Sequence, residues 1–507
     1  MTTTISPTPS TPESPSTSEG PGGPTTDGRT TPPDAGSPVA SSGTTRRRGV
    51  WQALHPLLLR LHFYAGILVG PFLVVAATTG LLYTLAPVIE RQLHDDLLVV
   101  PVGTAVEPLG DQVAAARDAY PEGTVAKVIV PGEQDLSTRV VLAVDDVPEG
   151  ATRTVFVDPY TGDVLGQSTT YGNWLPEREW IETLHSSLHL GTVGYVYSEL
   201  AASWLGIVVL GGLAMWIARA VQKRRARLLV VPEVSARGRR RTLSWHGVVG
   251  LLAAAGLVVL AVTGITWSTW AGPRVDTIQR AVSTEAPVLD TSLDGSGPAG
   301  GGGHGDHGGG GGEGLSDEHL AHGGSWDGVN DAATVAGLDL PWTVTPPAAM
   351  GQAWTVAESA TSWPAANDTI AVDASTGEVV DRVDFADKPL MSKLTTWGIY
   401  FHLGMLFGTV NLVFLALVAS ALVVLVVLGY RMWWQRRPTR ATGWKPGPFV
   451  RRGGLAKAPR WLVAVIAGVT LVTAWYLPLF GISLAAFLVV DVVLGARARR
   501  RVARPNA

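Results

Sequence analysis

Two histidines, His62 and His246, lie near the start of long apolar runs and have matching surroundings. Each stands four residues before a glycine, Gly66 or Gly250, and each is followed eighteen residues on by the glycine of a Thr-Gly pair. Eighteen residues are five turns of an α-helix, so the histidine and the Thr-Gly pair share one face. Because neutral imidazole is the commonest metal ligand among side chains, both positions are candidates for metal chemistry.

A second pair of histidines has a different signature. His185 and His402 each open the pattern H-x5-G-T-V directly before another apolar run. His189 follows His185 by four residues and shares its helical face, whereas Leu406 occupies the matching place in the second pattern. His189 is therefore an alternative ligand, a hydrogen-bond donor to a ligand or a substrate contact.

The composition limits what these histidines could hold. The chain of 507 residues contains no cysteine, which excludes disulfides, thiolate metal sites, iron–sulfur clusters and covalently attached haem. Any metal or haem must then be held by His, Met or carboxylate groups. No P-loop, H-E-x-x-H motif or dinucleotide-binding glycine motif occurs, so nucleotide, flavin and zinc-protease chemistry lack support. Nucleic-acid binding has none beyond the basic clusters described below.

The apolar runs predict a polytopic α-helical membrane protein with about six spans. Hydrophobic residues make up 46% of the chain and charged residues only 16%. Four runs suffice to cross a bilayer core of ~30 Å as helices, and they lie near 62–87, 197–218, 246–270 and 408–430. A fifth region, 461–495, is about twice a minimal span and contains Pro478, which predicts a hairpin of two short spans.

The basic residues predict the orientation. With six spans, all Lys/Arg clusters fall on one side of the membrane, which the positive-inside rule assigns to the cytoplasm. These clusters lie at 46–48, 223–241, 431–452 and 497–501. Both termini are then cytoplasmic, and the two long segments rich in Asp and Glu lie outside. The lipid bilayer is the first partner that the sequence implies.

The chain also resembles itself. The segments "TVFVDPYTGDVLG" at 154–166 and "TIAVDASTGEVVD" at 369–381 each predict a strand, a D-x-x-T-G turn and a second strand. Together with the matched histidines they indicate a parallel internal repeat, in which each half consists of a helix, an external α+β module and a helix.

This pattern divides the chain into the following predicted parts. They are a disordered tail (1–45), a first span (46–90), a first extracytoplasmic module (91–195), a second span (196–220), a basic cytoplasmic loop (221–244), a third span (245–270), a second extracytoplasmic module (271–400) with a Gly/His-rich linker (296–325), a fourth span (401–434), a cytoplasmic loop (435–459), a helical hairpin (460–496) and a cytoplasmic tail (497–507). The linker, which holds His304, His307, His319 and His322, is either a loose metal-binding tract or a flexible connection.

Several stretches resemble the bacterial PepSY-associated transmembrane family. They are "LHFYAGILVGPFLVVAATTGLLY", "WIETLHSSLHLGTVGYVYSELAASWLG", "SWHGVVGLLAAAGLVVLAVTGITW" and the two D-x-x-T-G hairpins. The resemblance implies an inner (plasma) membrane protein with two PepSY-like modules outside. Family members include haem-containing reductases of ferric siderophores that serve iron uptake.

The resemblance and the four histidines together predict two haem b groups, each with two axial histidines. His62 and His246 would hold one group near the cytoplasmic side, with Gly66 and Gly250 leaving room for a flat macrocycle. His185 and His402 would hold the other near the external side. A lone histidine at a membrane surface is ordinarily an interfacial side chain, but four at matched positions favour ligation.

Three functions are compatible with these features. The first is a haem b electron-transfer protein that reduces a ferric siderophore or another ferric chelate, with electrons from a quinol or a cytoplasmic reductase. The second is a non-enzymatic PepSY protein that binds or regulates an envelope peptidase or another partner. The third is permeation through the repeat.

Overall fold

The computed structural model describes residues 50–282, 287–294, 325–436 and 458–502. Outside them lie the predicted tail at 1–45, all but the last residue of the Gly/His-rich linker and most of the loop at 435–459. The described helices are α1 (Val50–Leu68), α2 (Gly70–Thr84), α3 (Ala86–Leu93), α4 (Asp95–Leu98), α5 (Leu109–Ala119), α6 (Pro176–Ser187), α7 (Thr192–Gln222), α8 (Gly238–Thr266), α9 (Gly272–Val282), α10 (Trp326–Val335), α11 (Leu390–His402), α12 (Gly408–Trp434), α13 (Arg460–Tyr476) and α14 (Pro478–Val502).

Four helices are long and apolar enough to cross a membrane: α7, α8, α12 and residues 478–497 of α14. Helices α1 and α2 pass the same test together but are bent by 61°, so they make a fifth span if the pair counts as one. Helix α13 is apolar but has only 17 residues. The protein is therefore a multi-pass membrane protein with four or five recognisable spans among its described residues, and the sixth stays a prediction.

The bend between α1 and α2 has a local cause. Pro71 lies in the first turn of α2 and has no N–H to give to the carbonyl of Ile67. The hydroxyl of Tyr430 on α12 donates to that carbonyl instead, at 2.6 Å. In a membrane the freed carbonyl needs such a partner. Gly70 permits the approach, because a Cβ there would lie 3.2 Å from the Tyr430 ring.

The predicted break at Pro478 is confirmed. Helix α13 ends at Tyr476 and α14 begins at Pro478, with only Leu477 between them. Near the break the helices pack closely, since a Cβ on Gly481 would lie 2.7 Å from that of Ala474. Further along, α14 contacts the rest of the bundle: Trp204 Nε1 donates to Ser483 Oγ at 2.9 Å, and Arg60 forms an ion pair with Asp491.

The two predicted external modules form a single antiparallel sheet rather than two. The strands are β1 (Thr124–Val130), β2 (Thr138–Ala143), β3 (Thr152–Val157), β4 (Val164–Thr170), β5 (Trp342–Thr345), β6 (Trp354–Glu358), β7 (Thr369–Asp373) and β8 (Glu378–Val383). Their order is β4-β3-β2-β1-β5-β6-β7-β8. At the centre β1 pairs with β5, with Val128 opposite Val344. Sequence patterns predict strands but not which of them meet across two modules.

One hydrophobic core runs under both halves of this sheet. Helices α5 and α10 cover it, and the cluster includes Val113 and Val329 from these helices together with Val128 and Val344 from the central strands. All four are at most 2% exposed. The backbone N–H of Gly110 donates to Asp327 at 3.0 Å, which ties the two helices to each other.

Both predicted D-x-x-T-G turns are confirmed. They join β3 to β4 and β7 to β8, and Gly162 and Gly377 each have φ of +73°, where glycine avoids the strain of a side chain. Asp158 accepts a hydrogen bond from the N–H of Tyr160 at 2.8 Å, and Asp373 accepts one from Ser375 at 2.9 Å. Their role in the described structure is to shape the hairpins.

Candidate functional site

Among the described residues, each of the predicted histidine pairs lines an apolar cavity in the helical bundle. The His62–His246 cavity has a volume of about 410 Å³. The His185–His402 cavity has a volume of about 500 Å³. Both volumes fall in the range that small-molecule and cofactor sites in proteins occupy.

The first pair faces across α1 and α8. The ring centroids of His62 and His246 lie 6.0 Å apart, and the ring planes are nearly perpendicular at 84°. Nδ1 of His62 lies 2.9 Å from the carbonyl oxygen of Val208 on α7, and Nδ1 of His246 lies 3.1 Å from that of Leu425 on α12. A carbonyl can only accept, so both Nδ1 atoms carry the proton. Each Nε2 therefore keeps its lone pair for a ligand.

Three glycines make room around this pair. Gly66 and Gly250 line the cavity, and a Cβ on Gly66 would meet nothing within 4 Å. Gly212 on α7 has a different role that the sequence did not reveal. A Cβ there would lie 2.8 Å from Cε1 of His62, so only glycine lets the imidazole reach the carbonyl of Val208.

The second pair lies at the ends of two helices outside the long spans. His185 is in the last turn of α6, which packs on α2, and His402 is the last residue of α11, which packs on α8. Both histidines line the same cavity. Burial lowers the pKa of His185 to about 4, so this imidazole is neutral at physiological pH.

Each histidine of the second pair lies within hydrogen-bond distance of a threonine hydroxyl. Oγ1 of Thr79 lies 2.9 Å from Nδ1 of His185, and Oγ1 of Thr263 lies 2.6 Å from Nδ1 of His402. Each hydroxyl can donate its one hydrogen to the carbonyl of Val75 or Val259 on its own helix, which leaves its oxygen free to accept from the imidazole. With the hydroxyls accepting, Nδ1 carries the proton and the Nε2 lone pair stays available in both histidines, as in the first pair.

The Thr-Gly pairs thus hold the histidines as well as packing the helices. Gly80 leaves room for His185, because a Cβ there would lie 3.1 Å from Cε1 of the ring. Gly264 occupies the matching place beside His402, at 3.7 Å. The eighteen-residue spacing was a signal for these residues, since it placed them on the face of the histidines, but it could not show which imidazole each would contact.

A single layer of leucines separates the two cavities. Leu73, Leu205, Leu257 and Leu422 line both cavities and come from α2, α7, α8 and α12 respectively. We call these four residues the leucine layer. Their side chains are 1–8% exposed. The two histidine pairs therefore lie on opposite sides of an apolar partition, because the same four leucine side chains line both cavities.

The cavities differ in charge. Arg219, Arg239 and Arg436 line the His62–His246 cavity, and no carboxylate of the described residues does so. The His185–His402 cavity has the opposite character, with Glu182 and Glu199 in its wall. Burial, with a smaller effect of neighbouring Glu179, raises the pKa of Glu182 to about 7.

His189 lies apart from both cavities. Its Nε2 is 3.0 Å from the carbonyl oxygen of Trp180, its ring packs on the Trp180 side chain at 5.0 Å, and the residue is exposed. It has φ of +55°, in the turn that follows α6. The spacing of four residues, which would put His189 on the same helical face as His185, does not apply because the helix ends at Ser187.

Comparison with known proteins identifies the family. The pattern of the PepSY-associated TM region matches residues 59–436, which include both histidine pairs, the eight-stranded sheet and α12. No curated protein matches the chain. Because the match covers well over half of the sequence, the chain belongs to the PepSY-associated transmembrane family.

Proposed function

We propose that the protein carries electrons across the membrane through two haem b groups and reduces a ferric siderophore or another ferric chelate on the extracytoplasmic side. The observation that carries this proposal is the common setting of the four histidines, with Nδ1 against an oxygen atom and the ring in the wall of a cavity. With Nδ1 donating to that oxygen, each Nε2 would be free to bind a metal ion. Metal-ligating histidines are usually held in this way by a partner on the other ring nitrogen.

The distance between the two rings of the first histidine pair also supports a haem group. Two imidazoles that would bind one metal ion, each through a nitrogen at about 2.0 Å, would have ring centroids roughly 6 Å apart. The centroids of His62 and His246 lie 6.0 Å apart. Within the described residues no group of three or more His, Asp or Glu side chains could hold a bare metal ion. Two histidines suffice where a macrocycle supplies the other four nitrogens.

The residues of this chain would then bind the two haem groups, orient them and separate them from each other. His62 and His246 would ligate one iron, and His185 and His402 the other, while the leucine layer would keep water from joining the two sites. Haem supplies one-electron chemistry. The family resemblance is the ground for the ferric substrate, and a quinol or a cytoplasmic reductase is the proposed donor.

The topology belongs to the same proposal. We place six spans in the inner (plasma) membrane, with both termini in the cytoplasm and the sheet outside, as the basic clusters indicate. A parallel duplication is supported by matching contacts in the two halves: His62 to Val208 on α7 and His246 to Leu425 on α12.

The test separates the two haem groups. In purified protein grown with ample haem precursor, replacing His246 by Ala should remove one haem and leave the other, and replacing His402 by Ala should do the reverse. Dithionite-reduced wild-type protein should be reoxidised by a ferric siderophore. His189→Ala should change neither haem. If His189→Ala loses a haem and His185→Ala does not, the ligand is His189. If the wild-type protein contains no haem, the partner-binding alternative is favoured.

A further inference from the structure

The His62–His246 cavity has a rim of hydrogen-bond donors contributed by three parts of the bundle. Arg219 lies in the last turn of α7, Arg239 in the first turn of α8, and Arg436 two residues beyond the end of α12. All three line the cavity. Three guanidinium groups that repel one another are gathered at one opening.

Within the described part of the chain, none of these three guanidinium groups donates a hydrogen bond to a carboxylate, and Arg219 has only a long ion pair. Neither Arg239 nor Arg436 forms an ion pair there. The carboxylate nearest to Arg219 is Glu233, at 3.9 Å, and Glu233 pairs more closely with Arg240 at 2.7 Å. The side chain of Arg436 instead lies over the ring of Phe63, at 5.5 Å.

Two further donors on this cavity are buried and unsatisfied. They are Nε of Arg219 and Nε1 of Trp433, each of which is hidden from solvent and has no hydrogen-bond partner. A buried donor without a partner is uncommon in folded proteins and calls for a ligand or a bound water. Arginine and indole N–H groups only donate, so the missing partner is an acceptor.

Resting on the haem assignment of the preceding section, we propose that Arg219, Arg239, Arg436 and Trp433 form a carboxylate-binding site for the two propionate groups of the haem held by His62 and His246. Guanidinium groups bind carboxylates through paired, charge-assisted hydrogen bonds. The site would fix the rotation of the macrocycle about the axis between the two imidazoles. The His185–His402 cavity has no Arg or Lys among its described lining residues, so the proposed site belongs to one cavity.

The experiment changes ligand and protein in turn. Full-length apoprotein with His185→Ala and His402→Ala keeps only the His62–His246 pair, and its Soret band is titrated with ferric haem b or with haem b dimethyl ester, whose propionates are blocked. We expect haem to bind roughly tenfold or more tightly than the ester. The double variant Arg239→Gln, Arg436→Gln should remove that preference by lowering the affinity for haem and leaving the affinity for the ester unchanged. The variant Trp433→Phe should reduce the preference. Loss of positive charge should also lower the midpoint potential of the bound haem.

Arg240→Gln is the matched control, because Arg240 is a neighbouring arginine that lies outside this cavity. It should leave the preference for haem unchanged. Equal affinity for haem and ester in the unsubstituted background would overturn this proposal while leaving the proposed haem function intact. So would arginine variants that bind haem normally but retain less anionic phospholipid on purification, since the cluster would then bind headgroup phosphate. A protein that binds neither form would overturn both proposals.

Discussion

At the scale of single residues, we expect the hydroxyl groups of Thr79 and Thr263 to decide which nitrogen of His185 and His402 can bind a ligand. Replacing Thr263 by Val removes the acceptor of the His402 Nδ1–H at 2.6 Å and leaves that N–H buried without a partner. Such a loss costs about 1–3 kcal/mol, and removing the partner of a metal-ligating histidine typically weakens metal binding about 10–100-fold. We expect this loss of affinity for one haem only, measured by Soret titration.

Thr263→Ser should preserve binding because it keeps the hydroxyl. Thr78→Val is a matched control for Thr79→Val, since Thr78 also donates to its own helix, at 2.8 Å to Val74, and is exposed. If the Thr79 and Thr263 variants bind haem as tightly as the wild type, the account of histidine protonation is wrong.

A second prediction concerns Gly212. An alanine there would place its Cβ 2.8 Å from Cε1 of His62, and the ring cannot retreat without giving up its bond to Val208. We expect Gly212→Ala to remove the haem of the His62–His246 pair and to spare the other, as judged by haem content. Gly206→Ala on the same helix is the control, because its Cβ would make only an ordinary contact at 3.8 Å with Ala261. Equal haem content in both variants would count against the assignment.

At the scale of residues, part of the candidate site could be predicted from the sequence. Spacing identified His62, His246, His185 and His402 and put glycines beside two of them. It did not identify Gly212 as the residue that admits His62, because that contact joins α7 to α1 and depends on how helices pack. It also could not choose between His185 and His189, since the choice depends on α6 ending at Ser187.

At the scale of helices, the leucine layer is the feature with the clearest consequence. Leu73 and Leu257 come from two different helices, and both line the two cavities. Serine at both positions would remove bulk and add hydroxyls that can hold water, whereas an apolar gap would stay dry. We expect Leu73→Ser with Leu257→Ser to raise proton leak several-fold in proteoliposomes that contain a trapped pH dye, while the wild type stays tight.

The control double variant is Leu415→Ser with Leu425→Ser, because each of these leucines is buried and lines only one cavity. Large-to-small changes in a core cost about 2–5 kcal/mol each, so both double variants should lose stability. Only the first should leak. A leak of equal size in both, or in neither, would mean that the leucine layer is not the barrier.

The strands illustrate what local patterns can and cannot predict. The D-x-x-T-G hairpins and the positive φ of Gly162 and Gly377 followed from the residues, because a tight turn limits the choice of residue. The pairing of β1 with β5 did not follow, because it joins strands more than two hundred residues apart through backbone hydrogen bonds that any residue can make. The bend at Pro71 lay inside an apolar run that looked continuous.

At the scale of the whole molecule, the orientation can be tested directly because the chain has no cysteine of its own. Single cysteines at Glu149, in the loop between β2 and β3, and at Lys223, after α7, are both at exposed positions. In intact spheroplasts a membrane-impermeant maleimide should label Glu149→Cys, and should label Lys223→Cys only after the membrane is broken. The reverse pattern would contradict the orientation that the basic clusters predict.

Two cavities with two histidines each make the content of haem the most direct test of the whole account. The measurement is the pyridine haemochrome assay, together with the dithionite-reduced spectrum, on purified wild-type protein grown with ample haem precursor. We predict two molecules of non-covalent haem b per chain and the spectrum of six-coordinate, low-spin iron. A preparation with no Soret band, or one whose haem survives replacement of all four histidines by alanine, would contradict the assignment of these residues as haem ligands.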